Sequence, residues 1–484
     1  MEIDRVLKNT AFLFVGRGLE KAAQFLVLIL VGRYALLGSY GKYALALYFT
    51  ALCVVLFDLG LQPFAVREVA CDPSRSGSVF VNGLAVKCIY SIGFFSLLCV
   101  VVLTLNYPRV VTQCILITLA GRAFGSFSLF NRAFFRAHGK MEYEALTAFV
   151  ETFLLLGVTG WALWAGGNPI ALGFSWLVSG IGGFLVSLML LDRKIFALRQ
   201  LSWIPQQSLM KGIAGEALFF GLCSLFTMIY FYLDTVILSK IDAIESVAVY
   251  TAAYNLVFAL FFFPQIYVDV LFPLLSNYHA LKNRAAGEIV RHISRYLVLL
   301  TVPIGVGTML LAKPIISFFY GHKLLFTIHG KGAPEALQIL VWDGCLIFFT
   351  YFWGNSLAAM QRQRLVTTIG GIGAALNIAL NFLLIPRYSF IGAAVATVGT
   401  EAAIFLCLLY FLADQLDFRD MGKAFLKAAL AGLLMLLALT HLPWLTSLPI
   451  SILAGVGTYS VCLLLSGAIG RRDVRVLRKL WAGA

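Results

Sequence analysis

The chain reads as an all-α polytopic membrane protein, with about fourteen transmembrane helices counted as apolar runs of spanning length. Three observations predict this class. Hydrophobic residues make up 61% of the 484 and charged ones 12%, with mean hydropathy +0.90, whereas a soluble domain is roughly 45–50% apolar and about 25% charged. Apolar runs near the length a bilayer requires recur along the whole sequence. The basic residues fall mainly into every second gap between those runs.

The runs lie at 11–32, 43–64, 79–104, 110–131, 144–166, 170–191, 213–238, 247–275, 294–320, 336–358, 365–385, 390–413, 424–442 and 446–467. The first is apolar apart from Arg17, Glu20 and Lys21. Its polar lead-in, MEIDRVLKNT, does not read as a cleavable leader. The third and fourth each enclose one cation, Lys87 and Arg122, and the fifth encloses Glu151. The seventh carries Glu216, Cys223, Thr227, Tyr230 and Asp234 on one stripe, and the eighth carries Tyr250, Tyr254, Phe258, Gln265 and Asp269 on another. Gly and Pro inside several runs are ordinary for membrane helices.

Charge fixes an orientation. With the N-terminus in the cytoplasm, 25 of the 37 lysines and arginines fall on the inner side, 8 on the outer and 4 inside spans. Positive residues gather in cytoplasmic loops, so both termini are expected inside. The net charge of +14 is mostly this asymmetry. It points to anionic headgroups of membrane lipids and not to nucleic acid. The nine cysteines form no CxxC pair and read as small hydrophobes. Walker spacing, HExxH and GxSxG are absent, so neither ATP hydrolysis, a metal site nor a nucleophile elbow is indicated, and no cofactor is expected.

The longest connection, roughly 192–212, divides the chain. An N-terminal lobe is expected over 1–200, a C-terminal lobe over 201–415, and an accessory pair of helices with a basic tail over 416–484. The lobes echo one another. YGKYALALYFTALCVVLFDLG (40–60) aligns with VAVYTAAYNLVFALFFFPQI (247–266), and 134–191 with 357–413. Such repeats are usual in secondary transporters, whose substrate site lies between the repeats.

Four segments carry a family likeness: FDLGLQPFAVREVA (57–70), FYLDTVILSKIDAIESVAVYTAAYNLV (231–257), LAKPIISFFYG (311–321) and LNIALNFLLIPRYSFIGAAVATVGTE (376–401). With them the chain resembles the polysaccharide repeat-unit flippases, the Wzx-like branch of the multidrug/oligosaccharidyl-lipid/polysaccharide exporter superfamily. The resemblance implies two six-helix lobes around a central cavity, plus two C-terminal helices. It implies a non-enzymatic secondary transporter of the inner (plasma) membrane. That transporter moves a polyprenyl-linked oligosaccharide from the inner to the outer face by alternating access. Its expected partners are that lipid, a coupling H+ or Na+, and polysaccharide polymerase or export proteins. The rival readings are a drug or cation antiporter of the same superfamily, a lipid II flippase, a membrane polymerase or ligase, and a helical scaffold for partner enzymes. The basic first lobe disfavours the antiporter, and the small external loop at 321–335 disfavours the enzyme.

Charged groups inside spans are functional candidates, because each must face a cavity or a partner. Arg17, Lys21, Lys87 and Arg122, with Arg67 and Arg132 at span ends, are expected to bind the lipid phosphate. The plainer alternative is that Arg17 or Lys21 pairs with Glu20, Arg67 with Glu68, and Arg132 snorkels. Asp234 and Glu151 are the candidates for the coupling ion, with Lys240 as an alternative partner for Asp234. Asn377 and Asn381, spaced i and i+4, are expected to join two arms of a hairpin turned at Pro386-Arg387.

Overall fold

The computed structural model describes residues 2–280, 285–325, 330–441 and 447–468, with side chains except at 2–15, 17, 218–220, 222, 223, 269, 280 and 285. The basic tail beyond 468 lies outside the described residues, as do the side chains of Cys223 and Asp269 from the two expected stripes. Helices account for all the regular structure there: α1 Glu2–Tyr34, α2 Leu37–Cys53, α3 Leu61–Cys71, α4 Ser76–Thr104, α5 Arg109–Ala137, α6 Met141–Trp164, α7 Pro169–Lys194, α8 Gln207–Ile241, α9 Ile244–Leu260, α10 Phe262–Ala280, α11 Ala285–Leu310, α12 Ala312–Tyr320, α13 Ala333–Ala359, α14 Gln363–Leu412, α15 Phe418–His441 and α16 Leu448–Leu465. Among the described residues twelve stretches are long and apolar enough to cross a membrane. One of them, Gln363–Gln415, holds two arms, and α1 is a further long helix.

The chain forms two compact units, Met1–Thr251 and Ala252–Ala484. In the first, α5 and α7 make the most extensive helix pair. An aromatic core of Phe80, Phe130, Phe134 and Phe135 closes one end of this unit, and the connection after α7 is pinned there. The Asn82 side chain accepts from the Gln206 N–H at 2.7 Å, and Phe196 and Trp203 pack on Phe80. In the second unit the core is built on Trp353, Phe349, Phe352 and Leu357. The Trp353 indole donates to Ser294 at 2.8 Å.

Three predicted runs are broken. The run 43–64 ends as α2 at Cys53, passes through a 3₁₀ turn at Val54–Phe57, and restarts as α3 at Leu61. Leu59 (φ 39°) and Gly60 (φ 85°) take left-handed backbone angles in between. The run 247–275 divides at Phe261 and 294–320 at Leu311. Hydropathy reads the apolar surface of such segments and is blind to a local change of backbone direction.

The segment 376–401 is the expected hairpin. α14 reverses at Ser389, which has φ 55° and ψ −137°. Asn377 then faces Thr400 (3.4 Å), and Gly373 lies against Ile404. A methyl on Gly392 would overlap the Leu384 carbonyl, so only glycine lets the arms close beside the turn. Asn381 donates to the Asn377 carbonyl at 2.9 Å and to its side-chain oxygen at 2.8 Å. Glu401 accepts from Thr350 of α13. Both asparagines are enclosed, as polar groups that join membrane helices are.

Candidate functional site

The site begins with a glycine crossing. Gly121 of α5 and Gly180 of α7 leave no room for a methyl, because each faces the other helix's backbone. The helices therefore touch, and the residue after Gly121 is set against α7. The Arg122 guanidinium carbon lies 3.8 Å from the centre of the Trp176 ring. Trp176 is held in turn by its indole N–H, which donates to the Tyr43 hydroxyl of α2 at 2.9 Å. Tyr43 is fully buried.

Lys21 of α1 and Tyr232 of α8 lie within electrostatic reach of Arg122. Five helices of the first unit thus converge on two cations and three aromatic rings. Neither Lys21 nor Arg122 makes an ion pair among the described residues. The Arg122 Nε is buried and has no hydrogen-bond partner there. Glu20 is also within reach, but it is committed elsewhere. A guanidinium stacked on an aromatic face keeps its edge N–H groups free, and that edge fits phosphate oxygens. The Arg17 side chain lies outside the described residues, one helical turn before Lys21.

Arg132 is differently placed. It is almost wholly enclosed, and three carboxylates surround it: Glu20 and Glu151 at 3.3 Å and Glu144 at 3.6 Å. Glu144 also receives the Arg136 Nε at 2.7 Å. Glu151 accepts from Ser128 as well, and Gly183 of α7 leaves room for its carboxylate. This network ties α1, α5 and α6 together. Arg132 has its counter-charges inside the protein and holds no open face for a ligand. Glu20 pairs with Arg132, and Lys21, one of the partners the sequence suggested, makes no ion pair with it.

Lys87, expected to face a cavity, is fully enclosed. Its ammonium donates to Asp58 at 2.8 Å, Ser126 at 2.8 Å and the Phe57 carbonyl at 3.3 Å. An ammonium has three protons, so the donors are used up, and the Phe127 and Phe130 rings cover it. Arg67 is half exposed and pairs with Glu216 of α8, with Glu68 at 4.0 Å. The structure therefore brings Lys21 and Arg122 together. It pairs the other three with acids: Arg67 with Glu216, Lys87 with Asp58, and Arg132 with Glu20, Glu144 and Glu151.

Asp234 is buried in the first unit, although the sequence reading put it in the second lobe. It accepts from the Tyr250 hydroxyl and from Thr235, whose hydroxyl lies at 3.2 Å. Lys240 turns away from it, donating to the Leu105 carbonyl and lying over the Tyr107 ring at 3.4 Å. Tyr43, Trp176 and Tyr232 were not singled out as site residues from sequence. The signal was the pair Gly121-Arg122, a backbone contact point with a cation attached.

These helices and charges define a multi-pass membrane protein of the transporter type. Residues 6–279, more than half of the chain, match the family model described as polysaccharide biosynthesis protein, and residues 220–383 match the MatE model. The chain belongs to the polysaccharide biosynthesis protein family, whose flippases are a branch of the multidrug/oligosaccharidyl-lipid/polysaccharide exporter superfamily. It is 27% identical over 213 residues to an uncharacterized membrane protein of Methanocaldococcus jannaschii, covering 44% of this chain and 41% of that one. It is also 27% identical over 171 residues to the probable low-salt glycan biosynthesis flippase Agl15 of Haloferax volcanii, covering 35% of each. The alignments thus span less than half the length of these relatives. The fold is similar to that of the solved structure of lipid II flippase MurJ, inward closed conformation, with TM-score 0.71 over 97% of this chain and 99% of that one at 16% identity.

Proposed function

We propose that the chain flips a lipid-linked oligosaccharide, a polysaccharide repeat unit on a polyprenyl phosphate or diphosphate, from the inner to the outer face of the membrane by alternating access. One observation carries this reading: Arg122, stacked on Trp176, and Lys21, within electrostatic reach of it, make no ion pair among the described residues. Cations left without counter-charge in a membrane protein are costly unless a ligand supplies it. A phosphate headgroup supplies that charge while the polyprenyl chain stays in lipid. The name of the Haloferax relative, a glycan biosynthesis flippase, supports the same direction. The lobes of this reading are 1–200 and 201–415, with 416–484 as accessory helices and both termini on the cytoplasmic side of the inner membrane. A drug or cation antiporter calls for an acidic recess, and the basic one speaks against it.

The coupling ion in this reading is H+ or Na+, held at Asp234, an enclosed carboxylate that accepts from the Tyr250 hydroxyl and the Thr235 amide, with Glu151 as the second candidate. Asp234→Asn is expected to leave residual flipping that no longer responds to an imposed ion gradient. Unchanged gradient dependence in that variant removes Asp234 from the coupling step.

The function itself is tested by depleting the protein in its host and weighing the extracted lipid-linked oligosaccharides. A completed repeat unit that accumulates on the inner leaflet is the expected result. An unchanged pool favours drug export, and a repeat unit that reaches the outer face but stays unpolymerised favours an enzyme.

A further inference from the structure

Helix α11 carries Pro303 within its length. A proline has no N–H, so the carbonyl four residues before it, that of Leu299, loses its helical donor. At membrane depth such a carbonyl is costly to leave unserved, because lipid offers no substitute. Here another helix supplies one. The Tyr459 hydroxyl of α16 donates to the Leu299 carbonyl at 2.7 Å, and both residues are enclosed.

The rest of the proline segment is gripped from two sides. From α13, the Cys345 thiol donates to the Thr301 carbonyl at 3.3 Å, and Gly305 lies against Trp342 and Cys345. The Thr301 hydroxyl turns back to the Leu297 carbonyl at 2.8 Å, a bond of the kind that bends helices. From α15, Gly432 comes up to Val302, the residue before the proline, where an added methyl would lie 3.2 Å from the valine side chain. Met435 of the same helix lies beside Gly307 of α11 and Gly455 of α16.

One turn before Leu299, Arg295 donates to the Ala468 carbonyl just beyond α16 at 2.6 Å, and it faces Asp420 of α15 at 3.6 Å. Lys427 of α15 donates to the Gly467 carbonyl at 3.1 Å. Helices α15 and α16 pack chiefly on α11 and on each other. Elsewhere they present exposed apolar side chains, among them Leu430, Leu433, Leu453 and Val456. The seat of the pair is therefore the part of α11 that the proline weakens.

We propose that α15 and α16 clamp α11 at Pro303, with Tyr459 as the positioning residue. Its hydroxyl replaces the backbone donor that the proline removes and holds α11 to one course through the membrane. The last two helices are then no appendage, because α11 is complete only with α16 seated. The inference stands on this geometry alone and does not need the transport reading. If Tyr459 merely fills space, its hydroxyl is dispensable whatever stands at position 303.

The test is a double-mutant cycle in the purified full chain, read by deuterium exchange of α11 peptides around the proline and by melting temperature. Tyr459→Phe keeps the ring and loses the donor. It is expected to speed exchange over residues 299–307 about tenfold, the scale of one buried acceptor left unserved, and to lower the melting temperature. Pro303→Ala puts an N–H back at position 303. In that background Tyr459→Phe is expected to change exchange by less than about twofold. Equal acceleration in both backgrounds makes Tyr459 a packing residue and overturns the clamp, as does no acceleration in either. A second measurement decides the matter if Pro303→Ala does not fold. Spin labels at Arg291→Cys and Met309→Cys flank the proline, in a chain with every cysteine but the buried Cys345 changed to alanine. Tyr459→Phe is expected to broaden or shift their distance distribution, and an unchanged distribution overturns the proposal.

Discussion

Arg132→Ala is expected to destabilise the first unit by about 3–5 kcal/mol, the usual cost of removing one partner from a buried ion pair. Three carboxylates converge on this guanidinium, and two of them, Glu20 and Glu151, lose their 3.3 Å partner outright. Glu144 keeps Arg136. The orphaned acids then either take up protons or draw water into the junction of α1, α5 and α6, and both loosen it. Thermal unfolding of the purified protein and its abundance in the membrane read the loss. Adding Glu20→Gln and Glu151→Gln to Arg132→Met is expected to recover part of it, because the uncompensated charge leaves with the arginine. If Arg132→Ala instead unfolds like the parent and only transport fails, Arg132 belongs to the substrate site and the network described above is incidental.

The same residue shows where sequence reading stops. Arg122 and Arg132 lie in one helix, the first inside the apolar run and the second at its end, and both are expected from sequence to bind the lipid phosphate. What separates them is three-dimensional. Glu20, Glu144 and Glu151 come from two other helices to neutralise Arg132, whereas Arg122 meets an indole. Helical periodicity places residues on a face but does not say which helix that face meets. Lys87 illustrates the point more sharply, since its partner Asp58 lies in a backbone break that hydropathy did not reveal. The hairpin at 376–401 was legible because all its determinants are local: two asparagines one turn apart, a proline near the reversal and small residues on the returning arm. The class and the run of helices were legible for a similar reason, as hydrocarbon imposes its length and composition on every crossing. Asp234 was recognised as unusual, but its attachment to the first unit depends on how α8 packs, which its own residues do not state.

Arg122→Ala is the functional counterpart, with the opposite balance of effects. Arg122 makes no ion pair among the described residues, so its removal is expected to change thermal stability by no more than about 1 kcal/mol, the scale of substitutions away from buried networks. Binding is expected to suffer far more. A charged hydrogen bond contributes about 1.5–3 kcal/mol, which corresponds to roughly 10–150-fold in affinity. Farnesyl diphosphate serves as a short polyprenyl probe for calorimetry on the purified protein. Arg122→Lys retains the charge but loses the planar fork and the stack on Trp176, so it is expected to fall between alanine and the parent. Lys21→Ala is expected to weaken the probe by a similar or smaller amount, and the two effects are expected not to add if both cations grip one phosphate group. Trp176→Phe keeps an aromatic face beneath Arg122 but gives up the donor to Tyr43, which tests whether the indole's tether holds the guanidinium in place. Unchanged affinity in both Arg122→Ala and Lys21→Ala, in protein that melts normally, removes the headgroup from this recess. The two cations, which make no ion pair among the described residues, then need another counter-charge, for which the carboxylate of Glu20, released from Arg132 in a second conformation, is a source within electrostatic reach.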